Sequence, residues 1–193
     1  MPSHITAKLL AQRNGIDPGQ IQFLPIGGPA DRIKALLAGK VDISSVTALG
    51  QKPLLDAIDS GQVKVLTTGA KEFPELPLAY DIVTDSTVKD QAPMLGRFVR
   101  AEIKGYRWAQ QNPEKAGAIA AQHIKDVELA VMQRGVKDMA DLGVLGLDGG
   151  ITLAGADKTQ QALVDQKALA KPLPPADIVE VRFAEQAVKD LGK

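Results

Sequence analysis

The chain has 193 residues, of which 45% are hydrophobic and 24% charged, the balance of an ordinary globular protein. Its 23 basic and 23 acidic side chains give a formal net charge of zero, so charge favours neither a nucleic-acid partner nor an anionic membrane. The chain has no cysteine, which excludes disulfides, thiolate metal sites and cysteine nucleophiles within it. No run approaches the roughly 20 apolar residues of a membrane span.

The first segment predicts a helix that begins at Ser3, a good N-cap residue, and stops at Asn14-Gly15. Its expected inner residues are Ile5, Leu9 and Leu10. The free backbone N–H groups at its start, beside Ser3 and His4, can hold an anion. The alternative is an ordinary capped helix. A metal site at His4 is not favoured, because the only other histidine is His123, far along the chain.

Residues 21–49 predict a strand, a turn, a helix and a second strand. The apolar run 21–26 is broken by Gly27-Gly28-Pro29, where the proline suits a first helical turn. The helix that follows has Gly39 as its left-handed stop. Its inner residues are Ile33, Leu36 and Leu37, and its expected outer residues are Asp31, Arg32 and Lys34. Because the second strand opens at Val41, the segment predicts a parallel βαβ unit in an α/β fold.

Ligands of such sheets bind beyond the carboxyl ends of the strands, here at residues 26–29 and 44–48. The hydroxyl groups of Ser44, Ser45 and Thr47, in the segment 44–48, can donate to a bound oxyanion or amide. The alternative is that they satisfy backbone groups in a loop. The candidate ligand-binding residues are Ser3, His4, Gly27, Gly28, Ser45 and Thr47.

The later part of the chain becomes mainly helical. After a helix at 52–60, a strand at 63–68 and an extended crossing segment at 78–83, helical patterns run from Ala92 to the end. The apolar residues expected on one face of the first of these helices are Leu95, Phe98, Val99, Ile103 and Tyr106. Asn112-Pro113 ends that helix and starts another. Further helices are expected at 162–169 and 180–191, with glycines at 135 and 143 as breaks.

The sequence lacks the patterns of common catalytic sites. It has no nucleophile elbow, no histidine-rich metal spacing and no closely spaced acid pair with a reason for the two pKa values to differ. The turn at 147–150 lacks the lysine and glycine spacing of a phosphate loop and the glycines of a dinucleotide site. We therefore expect a protein that is not an enzyme and that has no cofactor and no metal.

Several short elements occur in an order that resembles one family. They are the helix PSHITAKLLAQRNGID, the glycine turn with Arg32, Ala35-Leu36, Gly39 and Val41-Asp42, the W-x-x-x-N-P element at 108–113, and Val181-Arg182-Phe183 with Leu191-Gly192. This order is similar to that of the ABC-transporter solute-binding proteins of the nitrate, taurine, sulfonate and thiamine-precursor superfamily. The resemblance extends over nearly the whole chain.

The resemblance implies a type II periplasmic-binding-protein-like α/β fold. Residues 1–80 would form the second, βαβ lobe, and residues 81–193 the returning, mainly helical part of a first lobe that lacks its N-terminal part. The implied function is binding a small polar or anionic solute for delivery to an ABC permease, in the periplasm. Because the first lobe would be incomplete, we expect Phe98, Tyr106 and Phe183 to be covered by a second copy of the chain or by domain swapping.

Two other families share these features. The effector domains of LysR-type regulators have a similar lobe and turn, but such a regulator requires a DNA-binding helix-turn-helix. The tripartite tricarboxylate binding proteins resemble residues 2–42 about as well, and match the later helical region less well. The thiamine-pyrimidine synthases of the resembled superfamily imply a cysteine-rich motif, which this chain lacks.

Overall fold

The computed structural model describes residues 3–47, 49–74, 76 and 79–192. In these ranges the regular structure is helical, and a short 3₁₀ turn lies at Pro18–Gln20. The helices are α1 (Ser3–Arg13), α2 (Pro29–Leu37), α3 (Lys52–Asp59), α4 (Gly69–Glu72), α5 (Asp85–Asp90), α6 (Ala92–Gln111), α7 (Pro113–His123), α8 (Leu129–Asp141), α9 (Leu153–Asp165), α10 (Pro175–Ile178) and α11 (Arg182–Leu191). None of these described helices is long and apolar enough to cross a membrane.

The α/β fold of the type II kind, with parallel βαβ units, is wrong for the described residues, which contain no strand and no sheet. The predicted strand segments 21–26, 41–46 and 63–68 are non-helical, but no backbone hydrogen bond between described residues joins any two of them. A sheet requires a ladder of such bonds between neighbours. Apolar side chains on these segments therefore stay in solvent, with Ile43 71% and Leu66 73% exposed.

Local start and stop signals place several helices where the sequence predicts them. α2 begins at Pro29 after the N-cap residue Gly28, and Gly39 has the positive φ of 66° expected of a helix stop. The helix expected at 52–60 is confirmed as α3. Gly135 differs from its expected role as a break, because it is buried inside α8.

The described residues pack as two compact units. The first, which we call the N-terminal unit, consists of Pro2–Glu72 and Glu114–Asp138. The second, which we call the α6 unit, consists of Phe73–Pro113 and Met139–Lys193. The expected division into lobes at residue 80 stays a prediction.

The N-terminal unit is held by short apolar contacts between helices. Its buried hydrophobic residues are Ile5, Ala11, Ile33, Leu54, Leu55, Ala57, Val131 and Met132. α7 and α8 approach so closely that a Cβ added to Gly117 would lie 2.4 Å from the Cα atom of Gln133. Asp59 at the end of α3 receives two hydrogen bonds from the Arg134 guanidinium on α8, at 2.6 and 2.9 Å. This bidentate pair joins two helices that are distant in sequence.

The α6 unit is centred on the contact between α6 and α11. Ile103 packs against Ala184 and Ala187, and the partly buried residues around this cluster are Val99, Val188 and Leu191. The residues that α11 contributes recur at three-and-four spacing, which gives the helix one apolar face. Arg107 donates from Nε to the Leu147 carbonyl at 2.8 Å and from Nη1 to the Gly192 carbonyl at 2.6 Å. These bonds fix the turn before α9 and the end of α11 to α6.

Gln160 on α9 is the buried polar residue of this unit. Its side-chain amide accepts a hydrogen bond from the Leu173 N–H at 2.8 Å and donates one to the Leu173 carbonyl at 2.9 Å. The helix expected at 162–169 begins earlier than predicted, because α9 starts at Leu153 after the capping Thr152. Gln160 therefore holds the following proline-containing loop on α9.

Candidate functional site

Arg32 on α2 connects three separate segments of the N-terminal unit. Its Nε donates to the Gly27 carbonyl at 2.9 Å and to the Ile26 carbonyl at 3.3 Å. Its Nη1 donates to the Ser3 hydroxyl at 2.9 Å and to the Ser45 carbonyl at 3.3 Å. The guanidinium thus joins the start of α1, the glycine turn and the segment 41–47, because its fork presents several donors in fixed directions.

Three of the six predicted ligand-binding residues meet at this guanidinium, namely Ser3, Gly27 and Ser45. Gly28 lies beside them as the N-cap residue of α2. Thr47 is exposed, two residues beyond Ser45. Their proposed role in binding a ligand stays a prediction.

His4, the sixth of these residues, is exposed and contacts an aromatic ring. Its imidazole meets Phe23 edge to face, with ring centroids 5.1 Å apart and an interplanar angle of 85°. The Lys8 ammonium lies 5.8 Å from the same ring centroid, within range of a cation–π contact. The first two turns of α1 therefore bring a histidine and a lysine close to one aromatic residue.

The sequence interpretation missed Arg32, which it assigned to the outer face of α2. A local signal for its actual position exists. An arginine in the first turns of a helix that follows a glycine turn can reach back to the carbonyl groups of that turn. The bonds to Ser3 and Ser45 have no such signal, because they depend on the packing of distant segments.

The charge of Arg32 is not balanced by a carboxylate in the described part of the chain. No described acidic oxygen lies within 4.0 Å of its guanidinium, and all four acceptors it contacts are neutral oxygens. Its Nη2 has no acceptor among the described residues, so two N–H donors remain for another group. A partly buried guanidinium in this state favours an anionic or strongly polar partner.

Asp31 brings one negative charge close to the glycine turn. A Cβ added to Gly27 would lie 3.2 Å from the Asp31 Oδ2 atom. That carboxylate is exposed, and the Lys34 ammonium lies 3.9 Å from it. Because this pair is exposed, solvent screens the negative charge of Asp31 strongly.

A separate polar cluster lies in the α6 unit. The Tyr106 hydroxyl donates to Glu102 Oε1 at 3.0 Å. Burial, assisted by Glu102 and Asp81, raises the pKa of Tyr106 to about 12, so the phenol stays protonated near neutral pH. Burial also raises the pKa of Glu102, and the charge of Asp81 adds to this effect. Among the residues described, no group of three acidic or histidine side chains has a geometry that could hold a metal ion.

A family model described as NMT1/THI5 like matches residues 3–116, which is more than half of the chain. The chain belongs to this family. The NMT1/THI5-like family lies within the nitrate, taurine, sulfonate and thiamine-precursor-binding superfamily, so the resemblance predicted from the sequence is confirmed. Comparison with curated proteins and with solved structures gave no match.

Membership of the NMT1/THI5-like family supports a solute-binding role for this chain. The matched range contains Arg32 and all six predicted ligand-binding residues. It ends within α7 and leaves out α8 to α11. The family evidence therefore applies to the part of the chain in which Arg32 joins Ser3, Gly27 and Ser45.

Proposed function

We propose that this chain binds a small anionic or polar solute at Arg32 and delivers it to an ABC permease. The observation that carries the proposal is the guanidinium itself. It is partly buried, its described acceptors are all neutral, and it lies beside the first turn of α1. An anion there would receive hydrogen bonds from Arg32 Nη2 and from the Ser3 hydroxyl, and would be attracted by the free N–H groups of α1.

The remaining expectations from the sequence belong to the same proposal. Residues 1–80 would act as one lobe and residues 81–193 as part of another, and the solute would be held by residues 1–80. We propose a periplasmic location and a binding role without catalysis. The family membership supports the binding role, because most members of the family are binding proteins, and the location, because members are typically periplasmic.

Isothermal titration of the whole chain with nitrate, alkanesulfonates, taurine and pyrimidines tests the proposal. We expect heat of binding from at least one of the anions, and loss of that heat in Arg32→Gln. Arg32→Lys keeps the charge but loses the guanidinium fork, so it should bind more weakly than the natural chain and better than Arg32→Gln.

Arg97→Gln is the matched control, because it removes one exposed arginine from α6, which belongs to the other compact unit. Circular dichroism must show that all variants keep their helical content. If Arg32→Gln and Arg97→Gln bind the solute equally well, Arg32 is only a structural link between segments and the site lies elsewhere.

A further inference from the structure

α6 carries two apolar faces, and the described chain covers only one of them. Leu95 and Ile103 are buried, and Ile103 packs against α11. A second stripe is exposed to solvent and consists of Met94, Phe98, Ala101, Gly105 and Trp108. These positions follow one another at intervals of four, three, four and three residues, which places them on one side of the helix over about 20 Å.

The exposed stripe has the shape that a second helix requires. Phe98 is 50% and Trp108 42% exposed, while Ala101 and Gly105 between them are small. A Cβ added to Gly105 would meet no described atom within 4 Å, so this position is open. Large apolar side chains at the ends and small residues in the middle let another helix backbone approach closely.

The charge beside the stripe indicates the chemistry of the partner. Arg97 and Lys104 lie along one edge of it, both are exposed, and neither forms an ion pair or a hydrogen bond with a described residue. The other two cations of α6 are already engaged, since Arg100 lies 3.9 Å from Asp190 and Arg107 contacts two carbonyl groups. The edge is therefore positively charged.

The single acidic residue of α6, Glu102, is partly buried and accepts a hydrogen bond from Tyr106. The Glu102 carboxylate is thus less available to pair with a cation of a partner helix. A second copy of this chain would bring another Arg97 and Lys104 to the same interface, and like charges in contact oppose association. A helix with acidic residues beside its apolar stripe would pair with them instead.

We propose that the α6 stripe, Met94 to Trp108, is a docking surface for an amphipathic helix of a partner protein whose apolar stripe is flanked by acidic residues. The apolar contacts provide most of the stability of such a complex, and the two cations select the partner. The surface belongs to the α6 unit and Arg32 to the N-terminal unit, so the proposal does not depend on solute binding.

The test uses the whole chain and two synthetic helical peptides of about 20 residues without tryptophan. Both carry leucines at three-and-four spacing, flanked by glutamates in one peptide and by lysines in the other. Trp108 is the only tryptophan of the chain, so its fluorescence reports burial of the stripe directly. We expect the glutamate peptide to bind with a blue shift of this fluorescence, and added salt to weaken the binding.

The double variant Arg97→Glu with Lys104→Glu should weaken binding of the glutamate peptide on the order of ten-fold and favour the lysine peptide. Lys115→Glu with Lys158→Glu makes the same change of net charge at exposed lysines outside α6, and should leave binding unchanged. Phe98→Ser, which alters an exposed side chain, should also weaken it.

Four results would overturn the proposal. They are no binding of the glutamate peptide, equal binding of both peptides, binding that the α6 charge reversal leaves unaltered, and binding without a change at Trp108. Sedimentation provides a further test. A dimer of the chain alone, dissociated by Phe98→Ser, would show that the occupant is a second copy.

Discussion

The Ser3 hydroxyl accepts a hydrogen bond from Arg32 Nη1 over 2.9 Å, although 29 residues separate the two in the chain. Ser3 is the first described residue of α1, and the residue before it lies outside the described residues. Since the oxygen is an acceptor in this bond, the hydroxyl hydrogen stays available to donate to a bound anion. The contact links the stability of the N-terminal unit to the proposed site.

The Ser3→Ala variant should lose about 1 kcal/mol of free energy of unfolding, the usual contribution of one such hydrogen bond. Urea unfolding followed by circular dichroism measures the change. The same variant should bind a solute anion more weakly by a similar free energy. An unchanged stability would mean that the contact between Ser3 and Arg32 contributes nothing in solution.

Two glycine-to-alanine changes, Gly117→Ala in the contact of α7 with α8 and Gly105→Ala on α6, should alter stability in opposite directions. Gly117→Ala places a Cβ 2.4 Å from the Gln133 Cα atom, and backbone cannot move away as a flexible side chain can. We expect a loss of about 1–3 kcal/mol or more in the free energy of unfolding. Gly105→Ala is the control, because its Cβ meets no described atom within 4 Å.

Gly105→Ala should raise the free energy of unfolding by about 0.5–1 kcal/mol, since alanine loses less conformational entropy in a helix than glycine does. Denaturant titration of both variants under the same conditions gives the comparison. If both glycines respond alike, then α7 and α8 do not approach each other at Gly117 as described.

The pair of Asp59 and Arg134 predicts a dependence of stability on acid. The hydrogen bonds from Arg134 lower the pKa of Asp59 below its ordinary value of 3.8. A lowered pKa in the folded state gives stability that is present above 3.8 and is lost as the pH falls through the lower folded value. Asp59→Asn should therefore reduce the melting temperature near neutral pH slightly and weaken its fall in acid.

Asp42→Asn serves as the control for Asp59→Asn, because it removes an exposed carboxylate from the same unit. Melting curves recorded from neutral pH to below 3.8 test the prediction. The pair is exposed, so the effect at neutral pH should be small. If the natural chain and Asp59→Asn lose stability in parallel as the pH falls, the predicted contribution of the pair of Asp59 and Arg134 is wrong.

Glu102 should have the opposite dependence on pH. Burial and the nearby charge of Asp81 raise the pKa of Glu102 above its ordinary value of 4.5. A raised folded pKa gives a contribution to stability that is present below 4.5 and is lost as the pH rises through the folded value. Glu102→Gln should remove this loss, while its amide oxygen still accepts from the Tyr106 hydroxyl.

The measurement is the melting temperature of Glu102→Gln from acid to neutral pH, compared with Glu185→Gln, which alters an exposed glutamate on α11. The Glu102 variant should have the flatter profile, and the Glu185 variant should follow the natural chain. A steeper fall with rising pH in Glu102→Gln would mean that the carboxylate stabilises the α6 unit.

The sequence by itself determined where α1, α2, α3, α6 and α7 begin. α2 and α7 begin at Pro29 and Pro113, as predicted, because proline restricts its own φ angle and needs no distant contact to do so. Ser3, Gly27 and Ser45 were identified because they stand at the ends of predicted elements. The family was also readable, since it depends on the order of short motifs along the chain.

Only the tertiary structure decided which of these elements pair and which way their side chains point. Alternating apolar residues predicted strands at 41–46 and 63–68, but a strand exists only through bonds to another segment, and such pairing is not encoded locally. Helical periodicity likewise placed Phe98 with Ile103, although Ile103 is buried and Phe98 half exposed. The Arg32 guanidinium lies inward because it donates hydrogen bonds to neutral oxygens of three segments. Long-range packing brings these segments together.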